Sequence, residues 1–116
     1  MSTFSDPDAD LQPERVAELL AHGEAELIDV REPYEHDAGR IAGARHIPLE
    51  RLASEAETIP RDRPVVFQCR LGARSAMATR AFRAAGYDAH NMEGGLSAWV
   101  DRGLSLVPED GFVADH

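Results

Sequence analysis

The run Val65-Val66-Phe67-Gln68-Cys69 passes directly into Arg70-Leu71-Gly72-Ala73-Arg74-Ser75. Its β-branched and aromatic residues favour a pleated, buried strand. Pro60 and Pro64 bracket the polar turn before it. Beyond Ser75, Ala78, Phe82 and Ala85 fall on one helical face, with Arg80 and Arg83 on the other. A buried strand that feeds an amphipathic helix through a short loop is the repeating unit of an α/β domain. It leaves few alternatives for the rest of the chain.

The same alternation recurs on both sides. Residues 12–22 predict a first helix, with Pro13 early and Val16, Leu19 and Leu20 as its apolar stripe. Ala25 to Val30 predicts a buried strand, with Asp29 and Arg31 at its C-terminal end. A short helical turn from Glu32 leads through a loop holding Gly39 and Gly43. His46 to Leu49 then predicts a brief strand, followed by a helix over roughly 49–57. After Gly86, a natural helix stop, Tyr87 to Met92 predicts another short strand. Gly94-Gly95 opens a last helix with Leu96, Trp99 and Val100 at helical spacing, and Gly103 closes it. The fold class expected is α/β, with a largely parallel sheet. Residues 1–10 are expected to form an acidic, flexible start, 11–107 the single domain, and 108–116 a polar, loose tail.

The length of 116 residues fits one compact domain. No apolar run approaches the roughly 20 residues of a membrane span. The acidic start lacks the layout of a secretory signal. A single cysteine forms no internal disulfide, so nothing points to an oxidising compartment and the expected location is cytoplasmic. The net charge of −9, from 21 acidic and 12 basic residues, argues against nucleic-acid binding. All 12 basic residues are arginine. Five of them (Arg63, Arg70, Arg74, Arg80 and Arg83) lie between Arg63 and Tyr87, a stretch with no acidic residue. The lone cysteine sits inside this positive window, where a small anion would be favoured.

Lone cysteines are usually buried and inert. Cys69 differs by its context. It ends a parallel strand just before a helix, where α/β folds place their sites. The first N–H groups of a helix have no internal partner and carry the positive end of its dipole. Such a junction presents a ring of donors to an anion. Gly72 allows a tight turn with no side chain at its centre, and Arg70 and Arg74 add positive charge. These features favour the thiolate, the nucleophilic form.

The stretch Cys69-Arg70-Leu71-Gly72-Ala73-Arg74-Ser75 resembles the active-site loop of rhodanese-domain proteins. Two further segments agree with that family. Asp29-Val30-Arg31-Glu32-Pro33-Tyr34-Glu35, continuing through Gly43-Ala44 to Ile47-Pro48-Leu49, resembles its N-terminal signature. Glu93-Gly94-Gly95 with Trp99 resembles its C-terminal one. The resemblance spans roughly residues 11–107. It implies a three-layer fold, a parallel sheet of about five strands flanked by helices. It also implies catalysis by Cys69, with Arg70, Leu71, Gly72, Ala73 and Arg74 binding the substrate anion. Asp29 and Arg31 would be structural supports. Arg40 and Ala42 stand where family members often have histidine and proline, so the substrate entrance would be shaped or charged differently.

The implied activity is sulfur transfer. A small anionic donor such as thiosulfate would load Cys69 as a persulfide, and cyanide, a thiol or a protein would accept the outer sulfur. With Cys69 already ionised no general base would be required, which suits a loop that holds neither carboxylate nor histidine. A phosphatase or arsenate reductase on the same fold is disfavoured. Those enzymes place five residues between cysteine and arginine, and here there are four. A non-catalytic interaction module is the other alternative, but such domains often lack the cysteine. No cofactor is expected. His22, His36, His46, His90 and His116 show no metal-ligand spacing, so no metal is expected either. The pattern does not specify an oligomeric state.

Overall fold

The computed structural model describes residues 10–116. The acidic start expected over residues 1–10 therefore lies, except for Asp10, outside the described residues. Five strands form one sheet: β1 (Asp10–Leu11), β2 (Glu26–Asp29), β3 (Arg45–His46), β4 (Val65–Gln68) and β5 (Ala89–Met92). Their order is β1-β5-β4-β2-β3, and every pairing is parallel. The helices are α1 (Pro13–Ala21), α2 (Pro33–Ala38), α3 (Leu52–Glu55), α4 (Ala73–Ala84) and α5 (Gly95–Asp101). This is the α/β architecture that the strand-to-helix alternation predicts.

The side-chain alternation of β4 shows how the layers assemble. Val65 and Phe67 join a cluster with Ile28, Ala78, Phe82 and Tyr87, which packs α4 on one face. Val66 faces the opposite way, into a cluster with Leu27 of β2, Val16 and Leu19 of α1, and Leu96 and Trp99 of α5. All four β4 residues are fully buried, as a central parallel strand covered on both faces requires. Burying a side chain the size of Val66 or Phe67 is worth about 1.5–3 kcal/mol. Phe82 wedges between Phe67 and Tyr87, with ring centroids 5.0 and 4.8 Å away.

Three local expectations change. The helix expected over 49–57 is broken into a 3-10 turn (Leu49–Arg51), the one-turn α3 and a second 3-10 turn (Ala56–Thr58). It is anchored by Leu52 and Ile59 rather than by a continuous stripe. Val100 is exposed, so the apolar stripe of α5 narrows to Leu96 and Trp99. Asp10–Leu11 adds an edge strand too short to read from the sequence. It pairs with Asn91 and Met92.

The topology positions the site. From β2 the chain moves outward to β3, and from β4 it moves outward to β5 on the other side. The crevice between these diverging connections, at the carboxyl ends of β2 and β4, is where open α/β sheets bind ligands. Cys69 leaves β4 into it, and Asp29, Arg31 and Glu35 lie along the chain as it leaves β2.

Candidate active site

Cys69 is 1% exposed and packs with the Phe67 and Ala78 side of the core. Three donors converge on its sulfur. The Gly72 amide lies 3.1 Å from Sγ, the Ser75 amide 3.5 Å and the Ser75 hydroxyl 3.3 Å. Gly72 is the cap of α4 and takes φ +109°, a conformation that side chains rarely adopt. No side chain caps this helix. Its first turn is instead aimed at the thiol sulfur.

The loop is held from behind by α5. The amides of Leu96 and Ser97 donate to the carbonyls of Cys69 and Arg70 at 2.8 and 3.0 Å. In a trans peptide the N–H points opposite to the C=O. Fixing those two carbonyls therefore turns the amides of Arg70 and Leu71 away from α5. Gly95, at φ +62°, makes the approach possible. A Cβ there would lie 2.5 Å from both carbonyl oxygens. The Gly94-Gly95 pair is thus a buttress for the cysteine loop.

A pocket of about 190 Å³ opens at the sulfur, lined by Cys69, Arg70, Leu71, Ala73, Arg74 and His116. Five of the six residues expected from the sequence line it. Gly72 contributes its amide to Sγ instead. Leu71 is 60% exposed at the rim. The two arginines are not free cations. Arg74 makes a two-pronged pair with the buried Glu35, Nη1 to Oε2 at 2.8 Å and Nη2 to Oε1 at 3.0 Å. Arg70 Nη2 donates to Asp115 Oδ1 at 3.2 Å.

Burial acts to raise the Glu35 carboxyl, but the hydrogen bonds and charge of Arg74, with the Glu32 amide, overcome it. Glu35 is held below the ordinary carboxylate range. In return, the hydrogen bonds that Arg74 donates to Glu35, together with the Glu35 charge, outweigh burial and raise the guanidinium. Asp29 behaves alike. Burial opposes its ionisation, yet Arg31 and His36 hold it low. Arg31 is fully buried, grips both Asp29 oxygens and also donates to the Gly39 carbonyl at 2.8 Å. His36 stacks on His46 with centroids 4.3 Å apart and bonds Asp29 Oδ2 at 2.8 Å. These histidines brace the crevice. Among the described residues no group of three or more His, Cys, Asp or Glu is placed to hold a metal ion.

Four contributors escaped the residue-by-residue reading. Ser75 closes the quoted loop motif, but its hydroxyl carried no separate signal. Glu35 sits in the N-terminal signature, 39 residues from Arg74. Asp115 and His116 reach the site through the C-terminal segment, and no spacing rule connects them to Cys69.

The site is thus a cysteine at the end of a central parallel strand, with the Gly72 and Ser75 amides directed at its sulfur. The chain belongs to the rhodanese-like domain family, whose model matches residues 12–102. It is 36% identical over 104 residues to a sulfurtransferase of Allochromatium vinosum, covering 88% of this chain and 97% of that protein. It is 32% identical over 108 residues to the thiosulfate sulfurtransferase GlpE of Pseudomonas aeruginosa, covering 92% and 94%. It is also 42% identical over 76 residues to YqhL of Bacillus subtilis, covering 65% of this chain and spanning 60% of the length of that relative. A rhodanese-related protein from Thermoplasma volcanium superposes with a TM-score of 0.79 at 28% identity, covering 84% of this chain and 96% of that one. No described helix is long and apolar enough to cross a membrane.

Proposed function

We propose that the protein is a sulfurtransferase that carries sulfane sulfur on Cys69, taking it from a small donor such as thiosulfate. The observation that carries this reading is the set of three donors from Gly72 and Ser75 on one sulfur that lines a pocket of about 190 Å³. Similarity to sulfurtransferases along nearly the whole chain supports it.

The chemistry requires two displacements. The Cys69 thiolate attacks the outer sulfur of thiosulfate. A new S–S bond forms to Cys69, the S–S bond of thiosulfate breaks, and sulfite leaves with the electron pair. The persulfide anion occupies the same donor ring. An acceptor such as cyanide then attacks the outer sulfur, and the Cys69–sulfur bond breaks to return the thiolate. The Ser75 hydroxyl can point to Sγ or to the Gly72 carbonyl, 3.3 Å away in each case, and negative charge on sulfur selects the first. Arg70, Leu71, Gly72, Ala73 and Arg74 form the anion cradle. Each Arg74 Nη keeps a second N–H beyond those given to Glu35.

The Glu35 pairing also weighs against a phosphatase reading. A phosphoryl group on sulfur needs an arginine fork free for its oxygens, and Arg74 commits the fork to Glu35. The test is the intact mass after incubation with thiosulfate. One added sulfur atom is expected, lost on adding cyanide and absent in Cys69→Ser. No gain with thiosulfate or any other sulfane donor overturns the reading.

A further inference from the structure

The segment after α5 returns to the site. Val107 and Arg40 exchange backbone hydrogen bonds of 2.9 and 2.7 Å in an antiparallel bridge. The Phe112 amide donates to the Ala38 carbonyl at 3.0 Å. Phe112 backbone lies so close to Gly39 that a Cβ there would meet its oxygen at 2.4 Å. From these two anchors the chain runs on to Asp115, whose carboxylate takes Arg70 Nη2, and to His116, which lines the pocket at Cys69. Arg70 Nε, buried, has no hydrogen-bond partner among the described residues, so Asp115 engages one part of the guanidinium only.

We propose that Asp115 is a specificity-determining residue: its carboxylate is a tethered competitor for Arg70 that disfavours anionic donors relative to neutral ones. The proposal rests on the sulfur-transfer reading for its substrate but not for its geometry. Two anchors hold the carboxylate beside Arg70, so it competes intramolecularly, as a ligand at millimolar effective concentration does. An anionic donor must displace it or share the guanidinium with it, whereas a neutral donor need not. Asp115 is 94% exposed. Exposed ion pairs shift such equilibria by no more than about fivefold, so the effect belongs to selectivity rather than to an on-off switch.

The test compares Asp115→Asn with Asp110→Asn, which removes the same charge from the tail outside the Arg70 contact. Cys69 is the only cysteine, so alkylation reports on one site. The ratio of rates with iodoacetate, an anion, and iodoacetamide, its neutral analogue, is expected to rise about two- to fivefold in Asp115→Asn and to stay unchanged in Asp110→Asn. The thiosulfate KM is expected to fall by the same factor with kcat unchanged. Equal ratios in the two variants overturn the proposal even where wild-type Cys69 loads sulfur normally. Absence of loading in the wild type overturns the sulfur-transfer reading, and the alkylation ratio still decides the role of Asp115.

Discussion

Ser75 at the sulfur and Glu35 behind Arg74 divide the labour of holding charge at the site. Ser75 gives the sulfur both an amide and a hydroxyl. Ser75→Ala removes only the hydroxyl from a buried position, so the fold should stand. The loss of one hydrogen bond to a charged atom is expected to slow sulfur loading about tenfold, as read by stopped-time mass spectrometry. Glu35 acts one step further back, by fixing Arg74. Glu35→Gln leaves a neutral partner for a guanidinium that is itself largely buried, and should cost about 2 kcal/mol in urea unfolding. Its pH signature has a definite sign. Glu35 and Asp29 both ionise more readily in the folded chain than in the unfolded one. Their stabilisation is therefore complete above the unfolded carboxylate value near pH 4 and is lost as pH falls through the depressed folded values. The urea midpoint should hold steady from these groups between about pH 7 and 5 and drop below about pH 4. Glu35→Gln should make that drop shallower, and an unchanged acid limb would mean that Glu35 is not ionised in the fold.

The two helices that meet at the cysteine loop begin without side-chain caps, at Gly72 and Gly94, both in the left-handed region. Each leaves its opening amides free for something other than a cap. In α4 they reach Sγ, and in α5 they reach the loop carbonyls behind it. Gly95→Ala should separate the two roles of α5. Its Cβ meets backbone oxygens at 2.5 Å, so α5 or the loop must shift, and both stability and the sulfur-loading rate should fall. Gly23→Ala, at a similar φ of +64° with open space around the new Cβ, should cost about 1 kcal/mol of stability and leave loading intact. Equal loading rates in the two variants would remove the buttress role. The contrast also marks what the sequence could express at this scale. The strand β4, the helix α4 and the position of Cys69 between them follow from local patterning, because each is built from neighbours in the chain. The use of α5 as a buttress does not, since Gly95 and Cys69 meet only through tertiary packing. The edge strand Asp10–Leu11 and the broken helix around α3 were hidden for a similar reason. Two paired residues, or a single turn anchored by Leu52, carry too little periodicity to announce themselves.

At the level of the whole molecule, an acidic protein surrounds a site whose positive charge is mostly spent internally. The acid-free window from Arg63 to Tyr87 led to the expectation of a local positive field, and that window is real in the sequence. Folding then brings Glu35 to Arg74 and Asp115 to Arg70, across 39 and 45 residues of chain. Charge counted along the chain could not register either partner. What an approaching anion meets first is thus a protein of net charge −9, whose described residues span 39 × 30 × 26 Å. At about 0.01 M ionic strength the screening length is about 30 Å, so this charge is felt across the whole protein. At about 0.1 M it shrinks to about 10 Å, and only the donor cradle remains in range. The kcat/KM for thiosulfate, a dianion, is therefore expected to rise a few-fold over that interval, because salt removes repulsion faster than it weakens the short-range hydrogen bonds. A neutral sulfane donor should give a flat line under the same conditions. A steady fall for thiosulfate would instead show that Arg70 and Arg74 steer the donor despite their carboxylate partners, and that the surface charge is a bystander to the site.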